Sequence, residues 1–336
     1  MNPQLNLQLM IGGRIRGRHQ AAGFTLIELL SVMGIVGLLL SLSLPAVMNA
    51  RAQAARLQCA NNLRQIGVAV DGFHETRRHY PYYFCGIQET TSGTQRGYCL
   101  SPHSQILQWI GKTALADSID WDDQVLDSNA SAPLAGSNRT AFASSVETFL
   151  CPSDPLASGP ATSYRFCAGV LPVWPRDPGG MFPPARTESA RDAIDGLSQT
   201  AFASERLIGP GRQATAFERL SVIISVNSTE EIARSCYSAN LAGSSAGGPF
   251  DSYPGTTWLR GSARHVTYNH FFPPNSRMQD CAARTVYGLF SARSSHPGGV
   301  NVLFGDGHVS FIANDINLEL WWAIASRSNQ EVVDKF

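Results

Sequence analysis

The run Leu29–Val47 is nineteen residues without a single charge, and it limits what the chain can fold into more than any other feature. As a helix it is roughly 28 Å long, close to the ~30 Å hydrocarbon thickness of a bilayer. It exceeds the 7–15 apolar residues of a secretory signal, and the change from basic to apolar residues falls in front of it, at Gly23-Phe24. Residues 1–23 hold no acid but carry Arg14, Arg16 and Arg18. By the positive-inside rule the N-terminus is expected in the cytoplasm and the rest exported, although Arg51, Arg56 and Arg64 reduce the asymmetry. Glu28 stands near the start of the span, where a lone carboxylate is costly. A cut after Gly23 gives Phe24 a free amine four residues from Glu28, so the two charges can pair within a chain or between neighbours; a snorkelling carboxylate at the interface is the alternative.

Beyond Pro45 the helical pattern continues. Leu57, Ala60, Leu63, Ile66, Gly67, Val70 and Phe73 recur at steps of three and four, so Pro45 is expected to kink the helix without ending it. Helix from Phe24 to about Thr76 spans roughly 80 Å. From residue 77 the pattern changes to short strands and long Pro/Gly loops, such as Pro172–Pro184 and Asn240–Gly261. Thr200–Ser204 and Leu220–Val226 read as strands. Val300–Ile312 reads as a hairpin, with Asp306-Gly307 as a two-residue type I′ loop that puts Phe304 opposite Val309 and Val302 opposite Phe311. A last helix from Ile316 to about Ser326 turns Leu320, Trp321 and Ile324 to one side and closes the core. The expected architecture is α+β: a leader over 1–23, a membrane and assembly helix over 24–47, its amphipathic continuation over 48–76, and a β-rich exported domain over 77–336.

Gly23-Phe24-Thr25-Leu26-Ile27-Glu28-Leu29-Leu30 resembles the cleavage and methylation signal of type IV prepilins and type II secretion pseudopilins. The resemblance implies cleavage after Gly23 by a prepilin peptidase, methylation of Phe24, pairing of Glu28 with a neighbouring subunit's amine, and a helix kink at Pro45. Partners would be the peptidase-methyltransferase, other pilin or pseudopilin subunits and the inner membrane. The exported domain would be periplasmic or part of an extracellular filament. Further stretches resemble a narrower group of prepilin-type proteins with a large exported domain ending in His-x9-Asp-Gly. They are Cys59–Gly67 with Phe73-His74, Phe149–Asp154, Asp195–Thr200 with Glu205, Tyr268-Asn269, Pro273-Pro274-Asn275 with Cys281, His296 with Asp306-Gly307, and the terminal Leu320-Trp321 helix. Ser328-Asn329 and His308 depart from that pattern. The group implies placement and assembly but no reaction.

Read by itself, Asp306-Gly307 is a turn, and His296, at the start of a Pro-Gly-Gly turn, is a hydrogen-bonded structural histidine. Of the seven cysteines, none are spaced as a zinc motif, and neither metal nor cofactor is expected. All lie beyond the span, where disulfides are permitted. Cys85 with Cys99 and Cys151 with Cys167 are neighbours in sequence, while Cys59 is the candidate for the odd thiol; connectivity itself does not follow from sequence. Gly243-Ser244-Ser245-Ala246-Gly247 matches a nucleophile-elbow pattern, but Gly248-Pro249 follows where that motif needs a helix. The chain is therefore read as a structural subunit and not an enzyme. An anchored sugar- or peptide-binding protein is the rival reading, with an anchored hydrolase using Ser245 or His296 behind it. With 26 basic and 26 acidic residues there is no basic field for nucleic acid.

Overall fold

The computed structural model describes residues 25–83, 86–89, 95–98, 101–121, 138–171, 177–211, 219–224, 229–241, 250–283 and 287–328. The chain divides into two units, Met1–Ala50 and Arg51–Phe336.

Helix α1 (Leu26–Arg77) belongs to both units. In the first, every described residue is exposed, and the most apolar window of the helix has none of its residues buried. Its serines find acceptors inside the helix: the Ser31 hydroxyl donates to the Glu28 carbonyl and the Ser41 hydroxyl to that of Leu38. Helical assignment runs through Pro45, which has no N–H to give. In the second unit α1 buries Cys59, Leu63, Ile66, Val70 and Phe73, the expected stripe, whereas Leu57 is exposed. The helix stops at Arg78, a non-glycine residue at φ 65°, whose N–H donates to the His74 carbonyl.

The rest of the second unit is mixed. Strands β1 (Gly86–Glu89) and β2 (Gln95–Tyr98) pair as a hairpin, and the short helices α2 (Pro102–Gln105), α3 (Thr113–Asp117) and α4 (Arg139–Ala143) follow. A five-stranded sheet is built from β3 (Tyr164–Cys167), β4 (Ala201–Glu205), β7 (Thr267–Tyr268), β10 (Gly299–Phe304) and β11 (Val309–Ala313), in the order β11-β10-β4-β3-β7. A second sheet orders β6 (Phe250–Asp251), β5 (Ser221–Ile223), β8 (Asp280–Ala283) and β9 (Tyr287–Leu289), flanked by α5 (Thr229–Leu241). The one-turn helix α6 (Ala263–Val266) leads into β7, and α7 (Leu318–Ala323) closes the chain. The fold is α+β.

Strand β10 is buried at all six positions because it packs on both faces. Leu303 joins the aromatic core beneath α1, while Val300, Val302 and Phe304 meet Trp321 and Ile324 of the closing segment. Asn317 caps α7 by accepting from the N–H groups of Glu319 and Leu320.

The hairpin register differs from the expected one by a residue. Leu303 pairs with Val309 and Val302 with Ser310. Gly307 N–H donates to the Phe304 carbonyl, Phe304 N–H donates to the His308 carbonyl, and Gly307 has φ 85° while Asp306 is not left-handed. The loop is thus three residues, Gly305-Asp306-Gly307, with the glycine in the left-handed bulge position, because a type I′ loop needs positive φ at both central residues. Gly307 also lies where α1 comes close: a Cβ on Gly67 would sit 2.9 Å from Leu303 and 3.7 Å from Gly307.

Candidate functional site

The nine residues between His296 and Asp306 turn out to measure a strand. His296 precedes β10 and Asp306 follows it, so the six residues of β10 keep the motif's ends roughly 20 Å apart. At the far end Asp306 accepts from His308 Nδ1 at 2.5 Å, and the His308 ring stacks on Phe304. This is turn chemistry.

At the near end His296 is buried and its Nε2–H donates to Glu205 Oε1 at 3.0 Å. Glu205 closes β4 and is 2% exposed. Its carboxylate also accepts from the Asn301 backbone N–H at 2.9 Å and from Asn301 Nδ2 at 3.0 Å. Burying a carboxylate is costly unless its oxygens find donors, and these three bonds supply donors to both. The Arg293 N–H donates to the Glu205 carbonyl, and the Ser294 hydroxyl accepts from the His296 N–H, so the backbone is pinned on both sides of the pair.

Against this pair lies a disulfide that joins Cys59 of α1 to Cys151. Cys151 Sγ is 3.7 Å from His296 Nε2 and 4.0 Å from Glu205 Oε1. The expected cysteine pattern is corrected here: Cys151 bonds to Cys59, not to Cys167, and Cys59 is not the odd thiol. Cys167 is a buried free thiol on β3, where burial pushes its pKa up to about 12, so it is held protonated and inert. A second disulfide, Cys236–Cys281, fastens α5 to β8. Cys85 and Cys99 lie outside the described residues, as do Gly23, Phe24 and Ser245.

An open cleft of about 710 Å³ reaches the site, with Arg219, Asn275, Arg293, Ser294, His296 and Asn314 among its lining residues. Two of the three arginines that line it, Arg219 and Arg293, are committed inward, while Arg277 is exposed. Arg219 pairs with Asp154 at 2.8 Å, and Arg206 and Arg293 share Asp280 at 2.5 and 3.2 Å. Burial drives the Asp280 carboxyl upward, but the two guanidinium groups together with its hydrogen bonds from Ser291 and Arg206 outweigh it, and its pKa is held below the ordinary range.

Glu28 and Thr25 form a capping box. Thr25 N–H and Oγ donate to Glu28 Oε2 at 2.9 and 2.7 Å, and the Glu28 N–H donates to Thr25 Oγ at 3.3 Å. The sequence signal for it is Thr25-x-x-Glu28 ahead of an apolar run. Pro45 lies within α1, exposed.

Neither the curated proteins nor the solved structures contain a match to this chain. Residues 18–44 match the prokaryotic N-terminal methylation motif, which makes the N-terminus prepilin-like and the chain a pilin- or pseudopilin-like exported protein. Residues 48–319, most of the chain and all of the site built around His296 and Glu205, match the family described as protein of unknown function DUF1559. The chain belongs to that family.

Proposed function

We propose that the chain is a structural subunit of a type II secretion or type IV pilus-like filament. The prepilin peptidase cuts after Gly23 and methylates Phe24. The N-terminus starts in the cytoplasm, α1 spans the inner membrane through its first half, and the exported domain enters the periplasm or the filament. The observation that supports this most directly is an exposed, strongly apolar helix segment, most of which lies within a match to the methylation motif that begins at residue 18. Such a surface requires lipid or other helices as its solvent.

Glu28 carries the assembly chemistry in this reading. Thr25 holds Oε2, and Oε1 accepts no hydrogen bond among the described residues. The methylated amine of a neighbouring Phe24 supplies the counter-charge there, which removes the cost of a carboxylate among packed apolar helices. Mass spectrometry of the N-terminal peptide from the native membrane fraction tests processing: the expected peptide begins at N-methylated Phe24, and one beginning at Met1 refutes the reading. For assembly, Glu28→Ala is expected to insert and be cleaved yet fail to enter filaments; normal incorporation of that variant refutes the role of Glu28.

A further inference from the structure

Four side chains that no sequence spacing links meet in one buried place. One ligand-capable atom from each of Cys59, Cys151, Glu205 and His296 lies within 4.8 Å of all the others, and all four residues are buried. They come from α1, the segment before β3, the end of β4 and the turn before β10. In a tetrahedral zinc site, bond lengths of 2.0–2.3 Å set sulfur–nitrogen and sulfur–oxygen edges at about 3.5 Å and the nitrogen–oxygen edge at about 3.4 Å. The corresponding separations here are 3.7 Å, 4.0 Å and 3.0 Å. These three edges, all among Cys151, Glu205 and His296, stand within roughly half an ångström of the tetrahedral value. The two sulfurs, bonded to each other here, have to part to about 3.8 Å, and the Cys59 sulfur lies within 4.8 Å of the other ligand atoms.

A cross-link alone does not call for these neighbours. A structural disulfide is content among apolar groups, yet here a carboxylate oxygen and an imidazole nitrogen, hydrogen-bonded to each other, stand 4.0 and 3.7 Å from Cys151 Sγ. Among the described residues, the side chains that hydrogen-bond the Glu205 carboxylate are His296 and Asn301, and no arginine or lysine forms an ion pair with it. Asn301 grips Glu205 with two N–H donors, the kind of support that fixes a metal-ligating carboxylate. His296 lies at the wall of the open cleft, which provides an access route for a small cation.

We propose that Cys59, Cys151, Glu205 and His296 are the ligands of a zinc-class dication in the dithiol form of the protein, and that the Cys59–Cys151 disulfide is the oxidised, metal-free counterpart. A dithiol reductant gives two electrons to the disulfide. The Cys59–Cys151 bond breaks, the reductant's two sulfurs become bonded to each other, and its two protons pass to the cysteines. Metal entry then displaces both thiol protons as two sulfur–metal bonds form. Glu205 contributes an oxygen, and His296 contributes Nε2 after its proton moves to Nδ1. Two thiolates and one carboxylate against a dication leave the site at a net charge of −1.

The test uses the full mature chain in detergent micelles, reduced anaerobically with a phosphine and titrated with Co2+ and then Zn2+. A Cys236→Ser/Cys281→Ser background removes the other described pair of thiols. The expected result is one Co2+ bound with the intense visible bands of a tetrahedral thiolate site, bleached by one equivalent of Zn2+. His296→Ala and Glu205→Gln should each weaken Co2+ at least tenfold, and Cys59→Ser/Cys151→Ser should abolish the thiolate band. Near-UV circular dichroism monitors folding throughout. The proposal is overturned by a folded, reduced chain that shows no such band, by a band that His296→Ala and Glu205→Gln leave unchanged, or by a reduced chain that unfolds and that metal does not refold.

Discussion

The two halves of helix α1 share one backbone geometry and solve opposite problems. Before residue 51 the helix is apolar around its whole circumference and exposed throughout, and its serine hydroxyls close on carbonyls three or four residues back. After residue 51 it is striped, and one of its polar side chains, Asn62, reaches far along the chain. Asn62 Nδ2 donates to the Leu150 carbonyl at 2.9 Å and to the Tyr164 hydroxyl at 3.3 Å, partners 88 and 102 residues away. The serines of the first half are satisfied by their own helix, whereas Asn62 in the second half ties the helix to the segments around Leu150 and Tyr164. Helical propensity is silent on this difference, and the pattern of side chains decides it.

The largest effect that sharpens the contrast is expected from Cys59→Ser. The lost cross-link spans 92 residues and should cost the exported domain about 2–5 kcal/mol, read as a lower thermal midpoint of the mature chain in detergent. Ser41→Ala, in the other half, should leave that midpoint where it was. An unchanged midpoint for Cys59→Ser breaks the idea that the second half is fastened.

Next come the glycines. A Cβ on Gly72 would sit 2.3 Å from Trp109 Cδ1, so Gly72→Val should destabilise by about 1–3 kcal/mol in a urea titration. Gly34 has no atom within 4 Å of such a Cβ, and Gly34→Val should leave domain stability untouched. Equal losses from the two substitutions contradict the division between the halves. Asn62→Ala follows at about 1 kcal/mol, since it removes the long-range hydrogen bonds.

The smallest effect is a pH dependence. Asp71 is half-buried, and desolvation, aided by Glu75 and Asp306 and opposed by His74, raises its pKa above the ordinary 3.8. A raised carboxyl pKa means that the native state binds the proton more tightly than the unfolded chain does. The penalty is therefore fully present above the raised value, fades as the pH falls through it, and is gone below 3.8. Asp71→Asn should raise the urea midpoint slightly at neutral pH and not at all in strong acid. A gain that persists in acid rules out titration as its cause.

How much of this was legible in the sequence depends on range. Leu29–Val47, the stripe from Ala60 to Phe73 and the shared face of Leu320, Trp321 and Ile324 are local patterns, so both halves of α1 and the closing helix can be read directly. The hairpin was legible as a hairpin, but its register was not. Gly305 ahead of Asp306-Gly307 offers two loop lengths, and packing of Leu303 under Gly67 goes with the longer one. The site was beyond reach for a further reason. Cys59, Cys151, Glu205 and His296 stand on four separate segments, and adjacency along the chain favoured Cys167 as the partner of Cys151. Only the sheet, with β4 placed between β3 and β10, brings Glu205 beside His296.

The Cys59–Cys151 bond also has a mechanical meaning. A filament subunit pulled by its N-terminal helix passes tension along the backbone, and Cys59 lies on the second-unit side of the boundary at residue 51. There the load can cross through sulfur to Cys151, bypassing the chain between them. That stretch, a sequence separation of 92 and roughly 300 Å of contour length when drawn out, carries none of the load while the bond holds. Reduction without a metal to take its place releases that length into the load path, whereas a dication held by both thiolates keeps the two segments joined, so the linkage is extensible only when both the bond and the metal are absent.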